Sequence, residues 1–190
     1  LPELDTDILN CRVAPIYQQR IAHFNMDALG VDRGRCRPSL SDHAFTVAFS
    51  KYDVRICTRY IPESFTTSLY GVMHECGHAL YELNTGDDLI GTTMAGGASM
   101  GIHESQSRFY ENIIGRSEAF ISLIFPKIKE LFPEQFENVS AHDFYLAVNK
   151  AEPSLIRTEA DELTYSMHIM VRYEIEKRLM DGSLSTKDLP

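Results

Sequence analysis

The stretch Gly71-Val72-Met73-His74-Glu75-Cys76-Gly77-His78-Ala79-Leu80 contains the pattern His-Glu-x-x-His, and the other informative segments make most sense when arranged around it. On an α-helix His74 and His78 stand at i and i+4, so both imidazoles leave one face a turn apart and can share one metal ion. Glu75 lies beside them as a base for a water molecule, the arrangement of hydrolytic zinc sites. The helix is read from Leu69, Val72, Met73, Cys76, Leu80 and Leu83, which recur at helical spacing, with Asn84-Thr85-Gly86 as its stop. The run from Ser64 to Ser68, after Pro62, offers its cap. Cys76 follows His74 by two residues, about 200° round the helix, and is expected in the core rather than on a metal.

The metal ion of an HExxH zinc hydrolase needs a third protein ligand, leaving the fourth position for water. The next helical segment, His103 to about Ile114, carries Glu104 and Glu111 on nearly the same side. A short glycine-rich connection, Gly91 to Gly101, can fold it back against the first helix. Glu104 is therefore taken as the third ligand. Those glycines do not make a phosphate loop, because no Gly-Lys-Ser or Gly-Lys-Thr follows and no strong strand precedes; close packing of backbone on neighbouring helices fits them better.

The 190 residues, 44% of them hydrophobic, suffice for the core of an ordinary domain, and one domain over 1–190 is expected. A formal charge of −9 argues against a nucleic-acid partner, because phosphate binding needs a basic face. No apolar run is long enough to span a bilayer and no signal peptide is visible, so a cytoplasmic protein without a membrane partner is expected. Cys11, Cys36, Cys57 and Cys76 lack CxxC spacing and read as reduced thiols.

The remaining elements are predicted as follows. A helix near Ile8 to Met26 is broken around Pro15 and runs into a loop with a basic cluster at Arg33, Arg35 and Arg37. Phe45, Val47 and Phe49, then Val54 and Ile56, alternate with smaller or polar residues across Ser50-Lys51-Tyr52-Asp53, which predicts a β-hairpin with Arg55 on its polar face. Ala119 to Leu131 is an apolar helix kinked or broken at Pro126, and Ser140-Ala141-His142-Asp143 is a capping box opening a helix to about Ala151. The last helix, Leu155 to Met180, carries an apolar stripe of Ile156, Leu163, Met167, Met170, Ile175 and Leu179, with Arg157 and Asp161 paired at i and i+4.

Five motifs in order give the chain a resemblance. His43-Ala44-Phe45, Asp53-Val54-Arg55-Ile56-Cys57, His74-Glu75-Cys76-Gly77-His78, His103-Glu104-Ser105-Gln106 and Ile156-Arg157-Thr158-Glu159-Ala160-Asp161 resemble the HPF, DxRxT, HExxH, HES-Gln and IRxxAD motifs of the carboxypeptidase Taq family of metallocarboxypeptidases. Ala44 and Cys57 depart from that pattern. The resemblance implies a mainly α-helical metallopeptidase core with a small antiparallel β-hairpin or sheet beside the HExxH helix, corresponding to the catalytic middle of a longer chain. It implies a divalent metal, Zn2+ or Co2+, held by His74, His78 and Glu104, with Glu75 as general base, and peptide substrates with a free C-terminus cut by a homodimer.

By the same likeness Arg55, Arg157, His43, His103 and Asp161 belong to the substrate-binding cleft. A guanidinium from Arg55 or Arg157 would pair with the substrate's terminal carboxylate and turn a general peptidase plan into a carboxypeptidase. His103, Arg55 and Tyr165 are candidates to stabilise the oxyanion. Two alternatives stay open at this point: an HExxH endopeptidase or aminopeptidase, and a truncated, non-catalytic domain that binds metal or peptide.

Overall fold

The computed structural model of the chain describes residues 6–157 and 160–189. They fall into two compact units, Leu1–Val148 and Asn149–Pro190. The fold is mainly helical with one small sheet, as the hydrophobic periodicity and the resemblance both imply. Among the described residues no helix is long and apolar enough to cross a membrane.

The first unit is built on helix α2, Phe65–Leu83. Its apolar residues form two stripes, each meeting a separate core. Phe65, Leu69, Tyr70 and Met73 join Phe120, Ile124, Phe132, Phe136 and Phe144 in an aromatic-rich cluster. Val72, Cys76, Ala79 and Leu83 pack instead with Cys36, Val54 and Ile56 of the sheet and with Ala22 and Met26. A helix sequestered on two sides keeps only one face for polar residues, and that is where His74 and His78 stand. Ser64 precedes α2, but its hydroxyl is 2.8 Å from that of Thr67 and makes no side-chain cap.

Helix α1, Pro15–Ala28, lies on the same cores through Ile21, Ala22 and Met26. The predicted helix from Ile8 is corrected here: residues 7–9 make a single 3-10 turn, and the helix starts at Pro15. Proline at the first helical position loses no hydrogen bond and is preset in φ, so it opens a helix rather than breaking one.

The sheet has the order β1-β3-β2, from Cys36–Leu40, Asp53–Thr58 and Phe45–Ser50. β2 and β3 form the expected antiparallel hairpin, Thr46 facing Ile56 and Val47 facing Arg55. The parallel strand β1, absent from the sequence reading, contains Pro38, which only an edge strand tolerates.

After α2 the chain crosses the glycine-rich stretch into α3, Met100–Arg108, which continues as a π-helical turn, Phe109–Ile114. Helix α4, Glu118–Leu131, continues through Pro126; the helix is neither ended nor interrupted there. A single turn, α5 (Pro133–Phe136), leads to α6, Ala141–Val148. Asp143 Oδ2 accepts from the Ser140 backbone N–H while Ser140 Oγ accepts from that of Asp143, the reciprocal cap foreseen from the sequence.

In the second unit, α7 spans Glu162–Met180 and is seven residues shorter at its start than expected from Leu155. Residues 158 and 159, within the fifth motif, lie outside the described residues. Asp161 is the cap, accepting from the backbone N–H of Leu163 and Thr164 at 2.9 Å each. The expected Arg157–Asp161 pair is corrected accordingly: Arg157 precedes the helix, donates to the Tyr165 hydroxyl and lies over its ring, while the Asp161 carboxylate is spent on the cap. The apolar stripe is not buried either. Leu163, Met167 and Met170 are exposed, and so are Ile169, Val171 and Tyr173 on other sides of the helix.

Candidate metal centre

The polar face of α2 meets α3 where Gly77 permits it. A Cβ at Gly77 would lie 2.6 Å from Ser107 Cα and 2.8 Å from the Gln106 carbonyl oxygen, so the two helices touch backbone to backbone at that point. This contact brings Glu104 against the histidines. Its Oε2 is 3.5 Å from Nε2 of His74 and 3.5 Å from Nε2 of His78. The three donor atoms lie within 4.8 Å of one another. Tetrahedral coordination with bonds near 2.0–2.1 Å separates ligand atoms by about 3.3–3.5 Å, so two imidazoles and a carboxylate at this spacing fit a zinc-sized ion.

Each histidine is held from behind. His74 Nδ1 is 2.8 Å from Glu111 Oε2. His78 Nδ1 is 2.6 Å from His103 Nδ1, and His103 Nε2 is 2.6 Å from Glu82 Oε1. Arg108 ties the two carboxylates of the third helix together, Nε to Glu104 Oε1 at 3.2 Å and Nη1 to Glu111 Oε2 at 3.0 Å. The π-helical turn that carries Glu111 is closed by the Gly115 N–H on the Tyr110 carbonyl, with Met73 Sδ filling the space a Cβ of Gly115 would need. Such turns recur at functional sites because they re-aim side chains within an otherwise regular helix.

The electrostatics follow from this crowding. Burial alone would lower the pKa of His74, but the Glu104 and Glu111 carboxylates hydrogen-bonded to it outweigh that and push it up to about 9. In return the hydrogen bonds from His74 and His78 hold Glu104 well below the usual carboxylate range, against the opposing effect of its partial burial. The cluster thus has the character of a cation site, in which an ion and protons compete for the same nitrogens.

Glu75 is 4% exposed, and its Oε2 accepts from Thr46 Oγ1 at 2.7 Å. Strand β2 therefore fixes the carboxylate of the residue that follows His74 on the helix. Cys76 is wholly buried, as its position round the helix requires.

The other motif residues are placed less centrally. Strand alternation sets Arg55 on the sheet face opposite Val54 and Ile56, which pack on α2; its guanidinium is exposed, forked onto Asp53 at 2.9 and 2.8 Å and stacked over Phe49. His43 is exposed in the loop between β1 and β2. Arg157 and Asp161 belong to the second unit. His103 is engaged through both ring nitrogens with its neighbours at the cluster. The residues that sequence reasoning missed are Glu82, Thr46 and Arg108, with Glu111 noted only for its side of the helix. Glu82 had a signal: it stands one further turn after His78, at i+4.

Known proteins resemble the chain in both sequence and fold. The chain is 45% identical over 186 residues to carboxypeptidase 1 of Bacillus subtilis, covering 98% of this chain and 37% of that protein. It is 45% identical over 186 residues to thermostable carboxypeptidase 1 of Thermus thermophilus, covering 98% and 36%. The chain thus spans little more than a third of the length of these relatives. Among solved structures, a carboxypeptidase from Deinococcus radiodurans superposes with a TM-score of 0.94 at 41% identity, covering 99% of this chain and 38% of that one. A Trypanosoma cruzi metallocarboxypeptidase gives 0.86 at 40%, covering 93% and 35%. Residues 2–190 match the family model described as carboxypeptidase Taq (M32) metallopeptidase, and the chain belongs to that family.

Proposed function

We infer that the chain carries the hydrolytic centre of a zinc-dependent carboxypeptidase, with His74, His78 and Glu104 as ligands and Glu75 as general base. The observation that carries this reading is the spacing of the three donor atoms, 3.5 Å from Glu104 Oε2 to each imidazole Nε2, with Glu75 adjacent on the same helix. A bound divalent metal supplies Lewis acidity, drawing the pKa of a water towards neutrality and polarising a peptide carbonyl. With Oε2 of Glu75 held by Thr46, Oε1 is the oxygen assigned to take the proton from the attacking water and return it to the leaving amine. Burial of Glu75 keeps bulk water from competing for that proton.

Removal of residues from the C-terminal end is carried over from the relatives, which are carboxypeptidases by name. The His74, His78, Glu104 and Glu75 arrangement supports metal-assisted hydrolysis as the reaction class. The test is a peptide ladder read by mass spectrometry on the zinc-loaded chain, beside Glu75→Gln. Stepwise loss from the C-terminus in the parent, with Glu75→Gln retaining one zinc and losing hydrolysis, supports the reading. Internal cuts or trimming from the N-terminus would replace it with another peptidase class, and one bound zinc without hydrolysis would leave a metal-binding core.

A further inference from the structure

Behind His78 lies a second layer that the proposed reaction does not use. It resolves into a directed chain once proton positions are counted. His78 Nε2 faces Glu104, so a ligand role for that nitrogen requires its lone pair to be free and the ring proton to sit on Nδ1. The partner of that Nδ1 is His103 Nδ1, 2.6 Å away, which must therefore accept and carry no proton. A neutral His103 then holds its proton on Nε2, and 2.6 Å from Nε2 is the Glu82 carboxylate, an acceptor only. The reverse order would leave His78 Nε2 protonated and unable to bind a metal.

The surroundings lock this chain mechanically. Gly97 lies so close to the His103 ring that a Cβ there would be 2.5 Å from Cδ2. Gly96, at φ +102, passes over the Glu82 carboxylate, and the Ala98 N–H donates to the Tyr81 hydroxyl while the Tyr81 ring packs edge-on against His103. The glycine-rich stretch is thus a cover fitted to the pair.

We propose that Glu82 and His103 are positioning residues for the metal, acting as a carboxylate–imidazole relay that fixes the tautomer and orientation of His78. The proposal rests on the reading of His74, His78 and Glu104 as ligands. His74 is oriented directly by Glu111, whereas His78 is oriented through an interposed imidazole, so its carboxylate acts only by way of His103.

Two measurements test this, neither of them a turnover assay. The first is zinc affinity by competition with a chelator, with folding followed by circular dichroism. His103→Phe and Glu82→Leu should each bind zinc about 10–100-fold more weakly. Glu82→Gln, which keeps an acceptor oxygen, should stay within a few-fold of the parent, and the double variant His103→Phe/Glu82→Leu should be no weaker than His103→Phe alone. Unchanged affinity in the single variants, or additive losses in the double, would overturn the relay while the metal centre stands. A parent that binds no zinc, or binds it equally well as His78→Ala, would remove the centre and the relay together. The second measurement needs no variant: 15N histidine spectra of the zinc-loaded chain should show protons on His78 Nδ1 and His103 Nε2, and a proton on His103 Nδ1 would sink the proposal.

Discussion

Gly77→Ala separates intrinsic helix preference from packing, because the two predict opposite signs. In an exposed helix interior, alanine in place of glycine stabilises by about 1 kcal/mol. Here the new methyl would lie 2.6 Å from Ser107 Cα and 2.8 Å from the Gln106 carbonyl, both backbone atoms that cannot rotate away. Ordinary carbon contacts begin at about 3.5 Å, so α2 and α3 must part by roughly 1 Å. Overpacking of this kind costs about 1–3 kcal/mol, which cancels the helix gain at the least and leaves a net loss of up to about 2 kcal/mol. At about 2–4 °C per kcal/mol for a chain of this size, the melting temperature should not rise and should drop by up to about 8 °C. The same displacement acts on the site. Glu104 lies on α3 two residues before Gln106, and opening its 3.5 Å contacts to both imidazoles exceeds the tolerance of roughly 0.2 Å that metal geometry allows. Zinc affinity, measured by chelator competition, should therefore fall at least tenfold in a variant that remains folded. An unchanged or raised melting temperature with parental zinc affinity would refute the account of Gly77 as the contact that sets the distance between the ligand-bearing helices.

Two other perturbations probe the scaffold. Phe65 is fully buried with its ring centroid 5.8 Å from those of Phe132 and Phe136, so Phe65→Ala should cost about 3–5 kcal/mol; a loss under 1 kcal/mol in chemical denaturation would mean that this cluster does not hold α2 in place. Burial, aided by Asp32, pushes the Cys36 thiol up to about 11. The folded state then binds this proton more tightly than the unfolded chain, so the contribution is whole below the ordinary thiol pKa and is lost as pH rises from about 9 towards 11. Unfolding free energy should fall by about 2 kcal/mol over that window, and Cys36→Ala should flatten the dependence; an equal slope in the variant would exclude this thiol as the cause.

The centre of the fold was legible because α2 repeats its apolar residues strictly, and because His74 and His78 can share a face only if that repeat is helical. Glu104 was legible from charge placement on the next helix, and the hairpin from alternation. What escaped was decided by partners rather than by pattern. Strand β1 carries Pro38 among arginines and gains its identity only by pairing with β3. Arg157 and Asp161 stand four apart, yet the carboxylate caps α7 through two backbone N–H groups while the guanidinium goes to Tyr165. The stripe on α7 has helical spacing, but spacing predicts a face and not a cover, and Leu163, Met167 and Met170 remain exposed. The second layer was invisible for a related reason: Glu82, Thr46 and Arg108 are ordinary polar residues until the fold sets them against a histidine or a carboxylate.

The double sequestration of α2 also bears on how the site can move. A helix whose two apolar stripes belong to two separate cores cannot fray or rotate without dissolving both, so the amides from Val72 to Ala79 should open to solvent only with the whole unit. The histidines should therefore ride on the slowest-exchanging segment of that unit. The geometry they present is a property of the folded unit, and any motion that opens the site should belong to the elements around that helix rather than to the helix itself.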